Sequence, residues 1–476
     1  MTPIDRRTVL RGSAWLGAAA AMPGAALARP ADQRTLPAFY EEIEERTFRY
    51  FWETVNRKNG LAPDRWPTHS FSSIAAVGFA LAAYAIGVER GWCTRADAAE
   101  LTLTTLRFFW NAPQGPEPTG TAGYKGFFYH FLDMETGLRF RDVELSSVDT
   151  TFLLMGALFA GHYYDRDDAR EREIRHLADA LYARADWNHF RSDGRPAISM
   201  GWHPESGLIA RSWDGYNEGM FVNILALGAP VHSVPAAIWD SWTKPYPAFW
   251  RGAGATRHIA FAPLLGHQYS HIWVDFRGIR DAPMRAAGFD YFENSRRATY
   301  ADRFYCAANP MGWADYSNEI WGLTACDGPG NFALPYRGEI RGFFGYAARG
   351  PIDQPDGRDD GTLAPTAALG SLPFAPEIVI PCAKAMIERY GARLYGRYGF
   401  LDSFNPSFTY TGVRPDTGSV DPKTGWVARD HLGIDQGPIL LQAANYRDDF
   451  VWRRMRRVPA IRRGLLRAGF TGGWLG

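Results

Sequence analysis

The chain has 476 residues, 46% of them hydrophobic and 22% charged, which supplies a large core and lies far from the composition of disordered chains. Fifty-two basic against fifty-one acidic residues leave a net charge of +1. With no block of like charge, this speaks against a nucleic-acid partner. The 17 Trp, 22 Tyr and 30 Phe make 14% of the chain; they point either to a groove whose aromatic faces stack on sugar rings or to a Trp-rich core.

The first element is an address. Arg6-Arg7, the moderately apolar stretch Ser13 to Ala21 and the small residues Ala26-Leu27-Ala28 form a twin-arginine-type signal too short to span a bilayer. Residues 1–28 are therefore expected to be removed, leaving 29–476 as one periplasmic or extracellular domain with no membrane span and as a monomer. From Leu36 onward apolar spacing predicts about a dozen helices: Leu36 to Val55, Ser70 to Val88, Thr94 to Trp110, Glu144 to Tyr164, Asp167 to Arg184, Tyr216 to Leu227, Pro235 to Thr243, Ala287 to Ala307, Thr362 to Leu369, Pro376 to Tyr390, Gly437 to Tyr446 and Val451 to Ala468. Hardly a β-run stands out. Thr151 to Phe159 is apolar on every side and needs cover on two faces, which a double ring of helices provides. The segments Asn111 to Thr121, Thr324 to Gly342 and Ala348 to Gly361 are rich in Gly, Pro and Asp and read as loops around the mouth of a cavity. Cys93, Cys306, Cys326 and Cys382 lack metal-binding spacing and read as small buried hydrophobes, with one disulfide open to an exported chain.

Two acid-bearing stretches run into apolar helices: Asp142, Glu144 and Asp149 in one, Asp214 and Glu218 in the other. Glycosidic-bond chemistry needs one protonated carboxyl to donate to the leaving oxygen and a second, ionised, to activate water or attack carbon. Trp213 and Tyr216 beside Glu218 offer the desolvation that raises an acid's pKa. Ser146-x-x-Asp149 equally fits a helix capping box, so Asp149 divides evenly between cap and site. His267 and His271 have the i, i+4 spacing of metal ligands but lack the acids that would complete a shell. A hydrogen-bonding role is the stronger reading for them, and neither metal nor cofactor is expected.

Several stretches resemble the glucoamylase-like domain family: Ser72 to Phe79, Gly126 to Phe131, Glu144 to Thr150, His267 to His271, Asp290 to Arg296, Trp321 to Ala325, Ala364 to Ala367 and Gly433 to Pro438. Taken in order from Leu36 to Arg463, they look like glycoside hydrolase family 144, the β-1,2-glucanases, related to a domain of cyclic β-1,2-glucan synthases. The resemblance implies an all-α, (α/α)6 toroid and hydrolysis of β-1,2-glucan. It places Glu218 as general acid and Glu144 first among its partners, with Asp149 and Asp435 behind and Asp142 in the same acidic cluster. For substrate, Trp213, Tyr216, Trp273, Trp321 and Tyr346 are nominated as aromatic steps. Tyr124 and Asp214 are further contacts, and His130, His267, Gln268 and Arg341 grip hydroxyls. The competing readings are a transglycosylase on the same linkage, a polysaccharide lyase and a non-catalytic glucan-binding protein.

Overall fold

The computed structural model describes residues 34–192 and 194–476; the expected signal, 1–28, lies outside the described residues. The first eight α-helices are α1 Ala38–Glu53, α2 Ile74–Glu89, α3 Arg95–Asn111, α4 Ser147–Tyr163, α5 Ala169–Ala183, α6 Met220–Gly228, α7 Ala237–Thr243 and α8 Tyr246–Phe249. They are followed by α9 Leu265–Trp273, α10 Ala282–Ala287, α11 Tyr291–Ala308, α12 Pro365–Leu369, α13 Pro376–Tyr390, α14 Gly433–Asp448, α15 Phe450–Met455 and α16 Pro459–Arg467. Most strands are ladders of two or three residues between helices.

The two helices that are apolar all round, α2 and α4, pack against each other. Their backbones touch because glycines face each other: a Cβ on Gly78 would lie 2.2 Å from the Phe152 carbonyl oxygen, and one on Gly156 would lie 2.1 Å from that of Gly78. From this pair the buried helices continue in a closed sequence of contacts. Helix α4 meets α6, and α2 meets α14, which in turn meets α12 and α9. The Ser270 hydroxyl ties α9 to α6 by donating to the Glu218 carbonyl (3.1 Å) and accepting from the Phe221 amide (3.1 Å). Gln268 donates through Nε2 to the Ala367 carbonyl of α12 at 2.7 Å. A second layer covers this set: α1 lies on α2 and α14, α3 on α2, α5 on α4, α16 on α6, α11 on α9 and α13 on α12. Each buried helix is thus shielded from solvent, which its apolar circumference requires.

Local chemistry corrects some predicted boundaries. Ala287 to Ala307 is two helices, because Gly288 takes a left-handed φ of 82° that ends α10 and the Asp290 side chain caps α11 by accepting from the Glu293 amide. Pro459 likewise starts a new helix inside Val451 to Ala468. The segment Thr324 to Gly342, expected as a loop, contains a hairpin of Phe332–Tyr336 against Glu339–Phe343. Its turn residues Arg337 and Gly338 both have positive φ, 49° and 84°, the geometry of a tight two-residue hairpin. The four cysteines are free, three buried and Cys93 half-buried. Among the described residues no helix is long and apolar enough to cross a membrane.

Candidate active site

Acidic residues gather where buried helices begin. Asp149 lies in the first turn of α4, Glu218 two residues before α6, and Asp435 in the first turn of α14. Ser146 caps α4 by accepting from the Asp149 amide (3.1 Å), while its hydroxyl donates to the Asp149 carboxylate at 2.5 Å. Asp149 therefore belongs to both the helix start and the acidic cluster. Trp213 supports the Glu218 turn: its indole Nε1 donates to Ser147 Oγ at 2.8 Å, and a Cβ at Gly219 would lie 2.6 Å from its ring. Only glycine fits between them.

His130 joins the first group. Its Nδ1 lies 2.8 Å from Glu144 Oε1 and its Nε2 3.5 Å from Asp149 Oδ1. Burial works against the imidazolium, but the charges of Asp149 and Glu144, with Asp64 farther off, outweigh it and raise the histidine pKa to about 9. In return, although burial pushes the Glu144 carboxyl up, the hydrogen bond and charge of His130 hold it below the usual value. Burial raises Asp149 despite the same partner. These three residues bring ligand-type atoms within 4.8 Å of one another, as metal sites do. The two imidazole nitrogens each face a different carboxylate, so the ring is held as a hydrogen-bonded clamp between Glu144 and Asp149.

Glu218 has the opposite environment. Its Oε2 is shielded from solvent and without a partner. Burial, aided by the charge of Asp149 and opposed by a backbone hydrogen bond and by Arg211, pushes its pKa up to about 7. It is therefore an acid that still holds its proton near neutrality.

A second acidic group arises from residues far apart in the chain. Arg65 donates from Nε to Asp64 (3.1 Å) and from Nη1 to Asp327 (2.9 Å). The Asp327 amide donates to Asp402 Oδ2 at 2.7 Å, as does the Ser403 hydroxyl at 3.1 Å. Burial and the charge of Asp327 push Asp402 to about 7, while burial and the neighbouring Asp402 carboxyl push Asp435 well above its usual range. Burial first, and then the charges of Asp435, Glu218 and Asp149, raise the pKa of the Tyr269 hydroxyl, which is near enough to both groups to feel them. Asp64, Arg65, Asp327, Asp402 and Tyr269 were not picked out from the sequence; only the Tyr269 stretch carried a signal, because it lies between the two histidines of the α9 motif.

The remaining predicted residues divide by exposure. Tyr346 is 63% exposed and close enough to Asp435 and Asp402 to feel both. Its loop is held by Arg349, which donates to the Phe344 and Gly345 carbonyls at 3.1 and 3.0 Å. Tyr124 is half-buried against Trp202, with ring centroids 5.3 Å apart, and Trp202 pairs with Leu145 beside Glu144. Trp202 is a further aromatic that the sequence did not single out.

Other nominations need correction. Trp273 and Trp321 are fully buried, Trp273 stacked on Phe79, and present no face to a sugar. Tyr216 is likewise in the core, against His267 and Tyr291, and Trp213 acts on the Glu218 turn from beneath. His267 is buried with both ring nitrogens unpartnered, and Gln268 spends its amide on Ala367 and Ser371 of the α12 region. His271 accepts or donates at Ser295 Oγ, 3.0 Å away. Asp142 is exposed, in the turn before Glu144. Asp214 pairs at 2.5 Å with Arg195, and Arg341 with Glu339 of its own hairpin at 2.7 Å.

A helix-rich domain that gathers carboxylates at the starts of its buried helices is the frame of a known family. Residues 210–459 match the family described as "Putative glucoamylase", and the chain belongs to that family. It is 26% identical over 454 residues to the exo β-1,2-glucooligosaccharide sophorohydrolase (non-reducing end) of Parabacteroides distasonis, covering 89% of this chain and 56% of the relative. The chain thus spans little more than half the length of that protein. Among solved structures, the endo-β-1,2-glucanase of Chitinophaga pinensis, in complex with sophorotriose and glucose, superposes with a TM-score of 0.76 at 25% identity, covering 93% of this chain and 100% of that one. A "putative glucoamylase" of Bacteroides uniformis gives 0.77 at 29% identity, with 93% and 100% covered.

Proposed function

We propose that this protein is an exported glycoside hydrolase that cleaves β-1,2-glucan by carboxylate acid/base catalysis within an (α/α)6 toroid. The toroid reading is supported by the closed sequence of contacts through α2, α4, α6, α9, α12 and α14, each with an outer helix on its back. The observation that carries the catalytic reading is Glu218: burial keeps its carboxyl protonated to about pH 7, the state needed to hand a proton to a departing glycosidic oxygen.

Its ionised partner is best supplied by Asp402. Glu144 is committed to His130 at 2.8 Å and held at low pKa, which makes it a weak base. Asp402, buried beside Asp435, titrates near 7 with Oδ1 shielded from solvent and without a hydrogen-bond partner, the match to ambient pH that proton transfer favours. Glu144, Asp149 and His130 then form a fixed charge arrangement that sets the field at Glu218. The same concentration of acids opposes a lyase, since the carboxylate of a uronate substrate would face Asp64, Asp149, Asp327 and Glu144. A neutral glucan meets no such repulsion. Tyr346, Tyr124 and Trp202 are the aromatic faces available to it.

The β-1,2 linkage rests on the two named relatives. Incubation with linear and cyclic β-1,2-glucan, starch, cellulose and laminarin tests it: reducing ends are expected from β-1,2-glucan alone. Activity on starch with none on β-1,2-glucan would overturn the assignment. Products longer than the substrate at high acceptor concentration would instead identify a transglycosylase. Export through the twin-arginine-type signal is expected to leave a monomeric chain beginning at Arg29, and amino-terminal sequencing that finds Met1 in the periplasm refutes it.

A further inference from the structure

A cavity of about 580 Å³ lies apart from the carboxylate site, between the second half of α11, the segment 251–258 and the loop 352–354. Its volume is in the range that holds small ligands. Two large apolar side chains are left in solvent there: Phe304, 44% exposed, and Ile352, 46% exposed. They come from different segments and both line the space. Exposed apolar surface gathered in a concavity marks a place where a ligand can bind.

Polar side chains also line the cavity, among them Arg251, Arg297, Asp353 and Gln354, whose flat ends can each make paired hydrogen bonds. At its wall His258 is buried, 4% exposed. Its Nδ1 lies 2.9 Å from the Thr256 carbonyl and so donates to it, leaving Nε2 as an acceptor without a partner. Burial, with Arg297 and Arg251 nearby and Asp353 opposing them, keeps the ring neutral. The chemistry is therefore two exposed apolar side chains, several hydrogen-bonding planes and, in the wall, one neutral acceptor without a partner. A pyranose has the complementary form, with C–H groups on its faces and hydroxyls around its edge.

We propose that this cavity is a second saccharide-binding site, which holds a glucosyl unit of the polymer against Phe304 and Ile352 while another stretch of the chain lies at the carboxylates. The identity of the polymer rests on the function proposed above; the pocket's fit to a sugar ring does not. A second holding point raises the local concentration of a long glucan at the active site and leaves short fragments unaffected.

Affinity electrophoresis in gels containing linear β-1,2-glucan tests this, with Glu218→Gln as the non-cleaving chain and the same chain also carrying Phe304→Ala or Asp353→Ala. Removal of one stacking ring is expected to weaken retention about fivefold. In the otherwise intact enzyme, Phe304→Ala should lower kcat/KM on the polymer by a similar factor and leave a β-1,2-linked trisaccharide unaffected. Phe304 is exposed, so the variant should fold; Asp353→Ala reads the same site if it does not. Retention unchanged in both variants, or equal losses on polymer and trisaccharide, overturns the second site. If the protein is not retained by β-1,2-glucan although it cleaves it, the second site again falls. If retention depends on Phe304 but no β-1,2-glucan is cleaved, the second site stands and the proposed activity fails.

Discussion

Glu218→Gln separates a catalytic acid from a structural one, because the two differ in the sign of their effect on stability. Burial raises this carboxyl from 4.5 to about 7. In the unfolded chain it loses its proton near the ordinary value, so between these two pH values the folded state binds more protons and wild-type stability falls as pH rises. At about 1.36 kcal/mol per pH unit, the interval corresponds to roughly 3 kcal/mol, and partial solvent access reduces this to about 1–2 kcal/mol. Glutamine has no charge to desolvate. The variant should therefore equal wild type near pH 4.5 and melt higher at pH 8. For a domain of this size the gain is about 1–2 °C, since 1 kcal/mol moves Tm by roughly 1 °C. Turnover should drop by about a hundred- to ten-thousand-fold with substrate binding preserved. Calorimetry at pH 4.5 and pH 8 together with initial rates on β-1,2-glucan reads both effects. A variant that melts lower than wild type at pH 8, or that keeps more than about a tenth of the activity, refutes the account of Glu218 as a desolvated acid.

With Glu218 and Asp402 both near 7, kcat/KM should follow a narrow bell centred near neutrality; a plateau from pH 4 to pH 6 would remove Asp402 as base. Asp402→Asn should cost at least about a hundredfold in rate and more than Glu144→Gln, and the reverse order returns the base to Glu144. His130, raised to about 9, contributes stability that is fully present below about 6.5 and is lost as pH rises through 9. His130→Gln should accordingly lower stability by about 1–2 kcal/mol at pH 6 and by less at pH 9.5, with a pH-independent difference counting against the clamp. Gly78→Ala places a methyl 2.2 Å from the Phe152 carbonyl and should destabilise the fold by about 3 kcal/mol, because two packed backbones must separate; an unchanged urea midpoint contradicts that contact.

Much of the frame is legible in the chain because its signals are local. The apolar runs of α2 and α4 specify buried helices, Ser146 marks the start of α4, and Asp149, Glu218 and Asp435 stand at helix starts by sequence position alone. The family motifs lie in order along the same segments. Boundaries failed where one residue decides, as at Gly288 and Pro459, and the hairpin Phe332–Tyr336 with Glu339–Phe343 is short and contains a proline, so its alternation carries little weight.

Burial and distant pairing belong to the tertiary structure. Trp273, Trp321 and Tyr216 have the same flat side chains as Tyr346 and Trp202, and only packing separates the first three, in the core, from the last two, which keep solvent-reachable surface. Asp64, Asp327, Asp402 and Asp435 are spread over most of the chain, yet they come together around Arg65. His130 becomes a clamp because the chain returns past it twice, at Glu144 and at Asp149. Sequence specifies which carboxyls are available; the protonation of each depends on desolvation and on neighbours within a few ångströms, which only the folded arrangement supplies.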